Sequence, residues 1–129
     1  MLFTTMRSGS VSKVLFDVNV PRPASRFLTG HAVAFADRRG WRELTNGDLL
    51  SAAESDGFDV MLTADTNLRY QQNLVGRRIA HVVLSTNAWP VISEDPDPMV
   101  RAVDSATPGS YQEVTFALPP KRRRPPPNA

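Results

Sequence analysis

"NGDLLSAAESDGFDVMLTAD", residues 46–65, carries a helix, its stop signal and a buried strand in direct succession. Leu49, Leu50, Ala52 and Ala53 form an apolar stripe. Thr45 stands ahead of it with an acid, Asp48, three positions on, the capping-box pattern of a helix start. Gly57 stands where a left-handed residue ends a helix. "FDVMLTAD" (58–65) then runs almost without polar interruption, as a parallel strand buried on both faces requires. Working outward, "RIAHVVL" (78–84) repeats that pattern, and "KVLFD" (13–17) and "HAVAFA" (31–36) are shorter, partly β-branched versions of it. Helical patterns fall between them at "PRPASRFLT" (21–29), "TNGDLLSAAESDG" (45–57) and "NLRYQQNL" (67–74). A further one, "DPMVRAVDSA" (97–106), has Pro98 in its first turn. Strand and helix alternating at this spacing predicts βαβ units and a mainly parallel sheet with helices on its faces. "SYQEVTFAL" (110–118) alternates polar and apolar residues and reads as an edge strand, open to antiparallel pairing.

The 129 residues suit one domain with a single sizeable core. Residues 13–118 are expected to form it, after a flexible leader (1–12) and before a disordered, Pro-rich tail (119–129). The pI of about 9.5 is misleading. Four of the fifteen basic residues are Lys121–Arg124 of the tail, and the remaining eleven face thirteen acids. The body is thus mildly acidic, which argues against a global basic patch. With no cysteine there is no disulfide and no thiolate metal site, a composition suited to a reducing, cytoplasmic setting. No apolar run approaches the ~20 residues that span a bilayer.

Asp17 closes the first strand and Asp65 the third. In open parallel sheets ligands bind beyond the carboxyl ends of the strands. If these two strands are neighbours, ~4.8 Å apart, the two carboxylates converge and repel. Protonating one or placing a cation between them relieves that repulsion. Oxygen-only ligands there suit Mg²⁺ or Mn²⁺. Read singly, each is an ordinary turn residue following a strand. Asp48 is accounted for by helix capping, and its position in a first helical turn also allows it to face the same edge. His31 and His81, isolated in sequence, read as core or edge residues. The acids of "SEDPDP" (93–98) favour a helix start rather than a calcium loop. There is no phosphate-binding Gly-rich loop and no Gly-x-Ser-x-Gly elbow. Trp41 and Trp89 read as packing residues.

The ordered series "LFDVNVP", "GHAV", "GW", "NGDLLSAAESDGFDVMLTAD" and "NLRYQQNL" resembles the PIN-like family of small bacterial proteins, related to PIN-domain ribonuclease toxins. The resemblance runs from about Val14 to Leu84 and more loosely to "PGSYQEV". It implies a Rossmann-like, three-layer α/β/α sandwich whose acids hold Mg²⁺ or Mn²⁺ and cut single-stranded RNA. Asp17, Asp48 and Asp65 are the acids it points to, as metal ligands and catalytic residues. A fourth acid is implied close after Asp65, where this chain has Asn67. An acid is also implied directly after Asp17, where it has Val18, with Asn19 left to supply an amide oxygen. Three carboxylates suit one firmly bound ion, and a second would be weakly held. Gln71, Gln72, Arg22 and Arg69 are the supporting candidates for substrate contact. The resemblance further implies an antitoxin protein as partner and allows a homodimer. Two other classes compete: a PIN-like module that only binds protein or RNA, and a receiver-like phosphoacceptor with Asp65 as acceptor.

Overall fold

In a computed structural model the described residues are 11–66 and 77–116. They form five strands, all parallel: β1 (Lys13–Phe16), β2 (Ala32–Phe35), β3 (Val60–Thr63), β4 (Ala80–Leu84) and β5 (Tyr111–Val114). The helices are α1 (Asn46–Ser55), α2 (Trp89–Glu94) and α3 (Asp97–Asp104). The strand order is β2-β1-β3-β4-β5, with Val14 opposite Val33 and Val60, Leu62 opposite Val82, and Val82 opposite Gln112. This is a Rossmann-like α/β fold.

Alternation along the strands sends side chains to both faces. Val14, Phe16, Val60, Leu62, Val82 and Leu84 join one buried cluster with Ile92 of α2 and Met99, Ala102 and Val103 of α3. Leu15 and Met61 join a second with Leu49, Leu50 and Ala53 of α1. Phe27 stacks on Trp89, and Trp41 meets Phe58 edge-on, so both tryptophans pack as the sequence suggests.

Three expectations are revised. The edge strand β5 runs parallel to β4, not antiparallel. The crossover through α3 is what carries the chain back to the starting edge before β5 begins. The 21–29 stretch is a 3₁₀ helix, Arg22–Phe27, bonded i to i+3 from Ala24 N–H to the Pro21 carbonyl and from Leu28 N–H to that of Ser25. Pro23 has no N–H to give an α-helical ladder. The strands are also shorter than their apolar runs, so Asp17 and Asp65 lie just past the strand ends rather than inside them. The helix expected over 67–74 and the 119–129 tail lie outside the described residues. Ser12 is already tied in, its N–H donating to His31 Nδ1 at 2.9 Å and its carbonyl accepting from Ala32.

Side-chain clamps complete the frame. His31 Nε2 meets Asp104 Oδ1 at 2.7 Å, linking β2 to the end of α3. Since Nδ1 accepts a backbone N–H, the proton sits on Nε2, and both ring nitrogens are spent on structure. Glu54 Oε2 accepts from Arg78 N–H (2.7 Å) and Ile79 N–H (3.1 Å), while Oε1 accepts from Arg77, which fastens α1 to the start of β4. His81, in mid-β4, is 2% exposed, and its Nε2 has no hydrogen-bond partner among the described residues. Among the described residues no helix is long and apolar enough to cross a membrane.

Candidate functional site

The connection leaving β1 goes to one side, to β2, whereas the chain that leaves β2 returns across β1 to β3. Beyond the carboxyl ends of β1 and β3 the two directions part, and a crevice opens there in sheets of this order. The residues at its rim are Asp17 and Thr63-Ala64-Asp65.

Asp17 N–H donates to the Leu62 carbonyl at 2.9 Å, extending the sheet ladder one residue past β1. The carboxylate is held at both oxygens. Oδ1 accepts from Val18 N–H at 2.8 Å, and Oδ2 accepts from the Thr63 hydroxyl at 2.8 Å. Thr63 is 1% exposed, and its oxygen in turn accepts from Asp65 N–H at 3.0 Å. Asn19 Oδ1 accepts from Ala64 N–H at 3.0 Å, and Val20 N–H donates to the Asp17 carbonyl, closing the turn. The loop after β1 and the loop after β3 are therefore laced together, with Asp17 and Asp65 both half-buried. Each Asp17 oxygen has one lone pair engaged and one remaining for a ligand. Thr63 was not singled out from the sequence. A β-branched hydroxyl residue inside a run of apolar ones, two positions before an aspartate, was the signal available.

The remaining candidates among the described residues are Asp48, Asn19 and Arg22. Asp48 is exposed in the first turn of α1, and its N–H donates to Thr45 Oγ1 at 3.2 Å, the cap that the sequence predicts. α1 ends at Ser55, and the carbonyl of the following Asp56 accepts from Lys13 Nζ at the start of β1, so the helix runs from the carboxyl side of the sheet to its amino side. Among the described residues, however, no three His, Asp or Glu side chains gather as a metal-binding group. The Asn19 oxygen, expected as an amide ligand, has one lone pair engaged by Ala64 N–H. Arg22 pairs with Asp37 and lies over the Phe35 ring. Asn67, Arg69, Gln71 and Gln72 lie outside the described residues.

A cleft of about 300 Å³ opens at the opposite end of the sheet, near Ser12, Phe58 and Asp59. Its carboxylates are already committed to structure, Asp59 to Lys13 N–H and Glu54 to Arg78 and Ile79. The switch-point crevice is the better candidate.

Thr63→Val keeps the branched shape but deletes the hydroxyl, leaving Asp17 Oδ2 and Asp65 N–H without that partner. It is expected to cost about 1–3 kcal/mol, whereas Thr63→Ser, which keeps the hydroxyl, costs about 1 kcal/mol for the lost methyl. Urea denaturation of the three proteins measures this, and a Val variant as stable as the parent would show that the network holds nothing. Compared with known proteins, the chain matches no family model, no curated protein and no solved structure.

Proposed function

We propose that the protein is a PIN-like nuclease that hydrolyses phosphodiester bonds of single-stranded RNA with Mg²⁺ or Mn²⁺. The observation that carries this reading is a carboxylate, Asp17, preset at the β1/β3 crevice by the Thr63 hydroxyl, with Asp65 two residues further on. Mg²⁺ is commonly held by one or two carboxylates, keeping waters and taking the remaining contacts from phosphate oxygens. A pair of acids at the crevice fits that habit. Asp17 and Asp65 would hold the ion, which when bound activates water and neutralises charge at the phosphate. Asp48, exposed in the first turn of α1, is kept as the third acid of the set that the resemblance implies. Thr63 and Asn19 keep the two acid-bearing loops in register, so the carboxylates need little reorganisation on binding.

Millimolar Mn²⁺ at ten times its Kd should raise stability by about 1.4 kcal/mol, seen as an increase in Tm. Removing an outer-shell partner of a metal costs 10- to 100-fold, so Asp17→Asn, which alters a ligand, should lower RNA cleavage by about 100-fold or more and abolish the thermal shift. A Tm indifferent to metal would end the proposal. An adjacent reading frame for a DNA-binding protein would extend it to a toxin–antitoxin pair.

The strand order favours one alternative. β2-β1-β3-β4-β5 is the flavodoxin-like order that receiver modules share, and Asp65 follows β3 as a phosphoacceptor would. β5, however, is followed by Thr115 and Phe116, and the only lysine after it in sequence is Lys121 of the tail. A stable acyl phosphate on Asp65 after incubation with a small phosphodonor would reverse the ranking.

A further inference from the structure

Three arginines converge beside the crevice. Phe35, the last residue of β2, has the Arg22 guanidinium 5.2 Å and that of Arg38 5.9 Å from its ring centroid. Arg22 and Arg42 also meet on one carboxylate oxygen, Oδ2 of Asp37, with Arg42 at 4.0 Å. Asp37 is shared by two of the three cations and Arg38 has no carboxylate of its own among the described residues, which leaves a local surplus of about two positive charges on a body that is otherwise mildly acidic. Like charges so close repel unless an anion lies near. The cationic groups reach solvent, for the Arg42 side chain is 63% exposed and that of Arg22 43%. Arg38 is exposed and makes no ion pair among the described residues.

The patch is close to the candidate site. Phe35 meets Phe16 edge-on at 5.5 Å, and Phe16 directly precedes Asp17. Guanidinium planes braced on an aromatic ring offer both a charge for phosphate and a flat face on which an unpaired base can stack. A duplex hides those base faces, so the chemistry fits a single strand.

We propose that Arg22, Arg38 and Arg42, arranged around Phe35 and Asp37, form the surface on which single-stranded RNA docks, its backbone led toward Asp17. That the strand is RNA and that its backbone leads to Asp17 rest on the nuclease reading, whereas the docking of a single strand does not. Binding is therefore measured with chelator present, where no metal-dependent cleavage occurs, using a fluorescent oligouridine, its deoxy counterpart and an RNA duplex. Arg38→Ala/Arg42→Ala should weaken oligouridine binding about ten-fold at low salt and flatten the log K against log salt slope by about 1.4, two phosphate contacts at about 0.7 each. Asp37→Asn should act oppositely, tightening binding about two- to five-fold by removing the one neutralising charge. A variant that merely misfolds would not do so. Unchanged affinity in both variants, binding of DNA or duplex in preference to oligouridine, or binding lost only when Lys121, Arg122, Arg123 and Arg124 are replaced by Ala would each overturn the proposal. Failure of the nuclease reading would appear separately, as docking without cleavage when metal is restored.

Discussion

Lowering the pH from 7 to 4 is expected to cost the native state about 3 kcal/mol through one side chain, His81. Burial above all, and then the positive charge of Arg77, push its pKa down from 6.5 to about 4, with Glu54 pulling weakly the other way. The ring lies in mid-strand with 2% exposure, where a charged imidazolium has almost no water to solvate it. Below pH 6.5 the unfolded chain takes up a proton that the folded one refuses until about pH 4. Protons therefore favour unfolding across that window, and stability falls as pH falls, at about 1.4 kcal/mol per pKa unit of difference. Glu54 acts lower on the scale. Burial raises its pKa, but the Ile79 and Arg78 N–H groups and the Arg77 guanidinium outweigh burial and hold it below 4.5. Its contribution is thus present above 4.5 and lost as pH drops through the lowered folded value. Urea unfolding at pH 7, 6, 5 and 4 should show the loss in the parent protein and a much flatter profile in His81→Leu. Leucine fills the site without an unpaired nitrogen, so its stability at pH 7 should be equal or higher. An unaltered slope in that variant would place the proton uptake elsewhere.

Phe16→Ala should be the most damaging single core change, at about 3–5 kcal/mol. That is a large share of the 5–15 kcal/mol that keeps an ordinary domain folded. Phe16 is 1% exposed and holds an edge-to-face contact with Phe35, a geometry worth about 0.5–1.5 kcal/mol beyond its buried area. The same truncation also undermines the ring on which Arg22 and Arg38 rest and the strand end that aims Asp17. Phe16→Leu keeps most of the volume and should cost clearly less. Chemical denaturation reads both. A loss under 1 kcal/mol for the alanine variant would mean that the cluster closes over the gap.

Much of this fold could be read from the residue pattern, and the reasons differ by element. β3 and β4 were legible because two faces of burial demand unbroken apolar runs, and α1 because Thr45, the stripe and Gly57 mark its start, body and end. The direction of β5 was not legible from its alternation, since that period of two is the same whichever way a strand runs. The connection through α3 held the information. The 3₁₀ form of 22–27 was open to prediction from Pro21 and Pro23, which remove donors at the outset. At the crevice, Asp17 and Asp65 were found because charges ending apolar strands stand out. Thr63 was missed because a single hydroxyl in a strand resembles ordinary β-propensity, and its role depends on β1 lying beside β3. Of the arginine patch only Arg22 was singled out, because Arg38 and Arg42 are separated from it in sequence and meet it only when the turn after β2 folds back.

The all-parallel order carries a consequence for how the chain acquires its shape. No two sheet neighbours are joined by a hairpin, and the central pairing sets Val14 against Val60 across an intervening strand and helix. Each ladder must close a long loop before its hydrogen bonds return anything, which places refolding toward the slow end for a chain of this size. While it waits, β1 presents bare edges, so dilute conditions should favour recovery from denaturant over clumping.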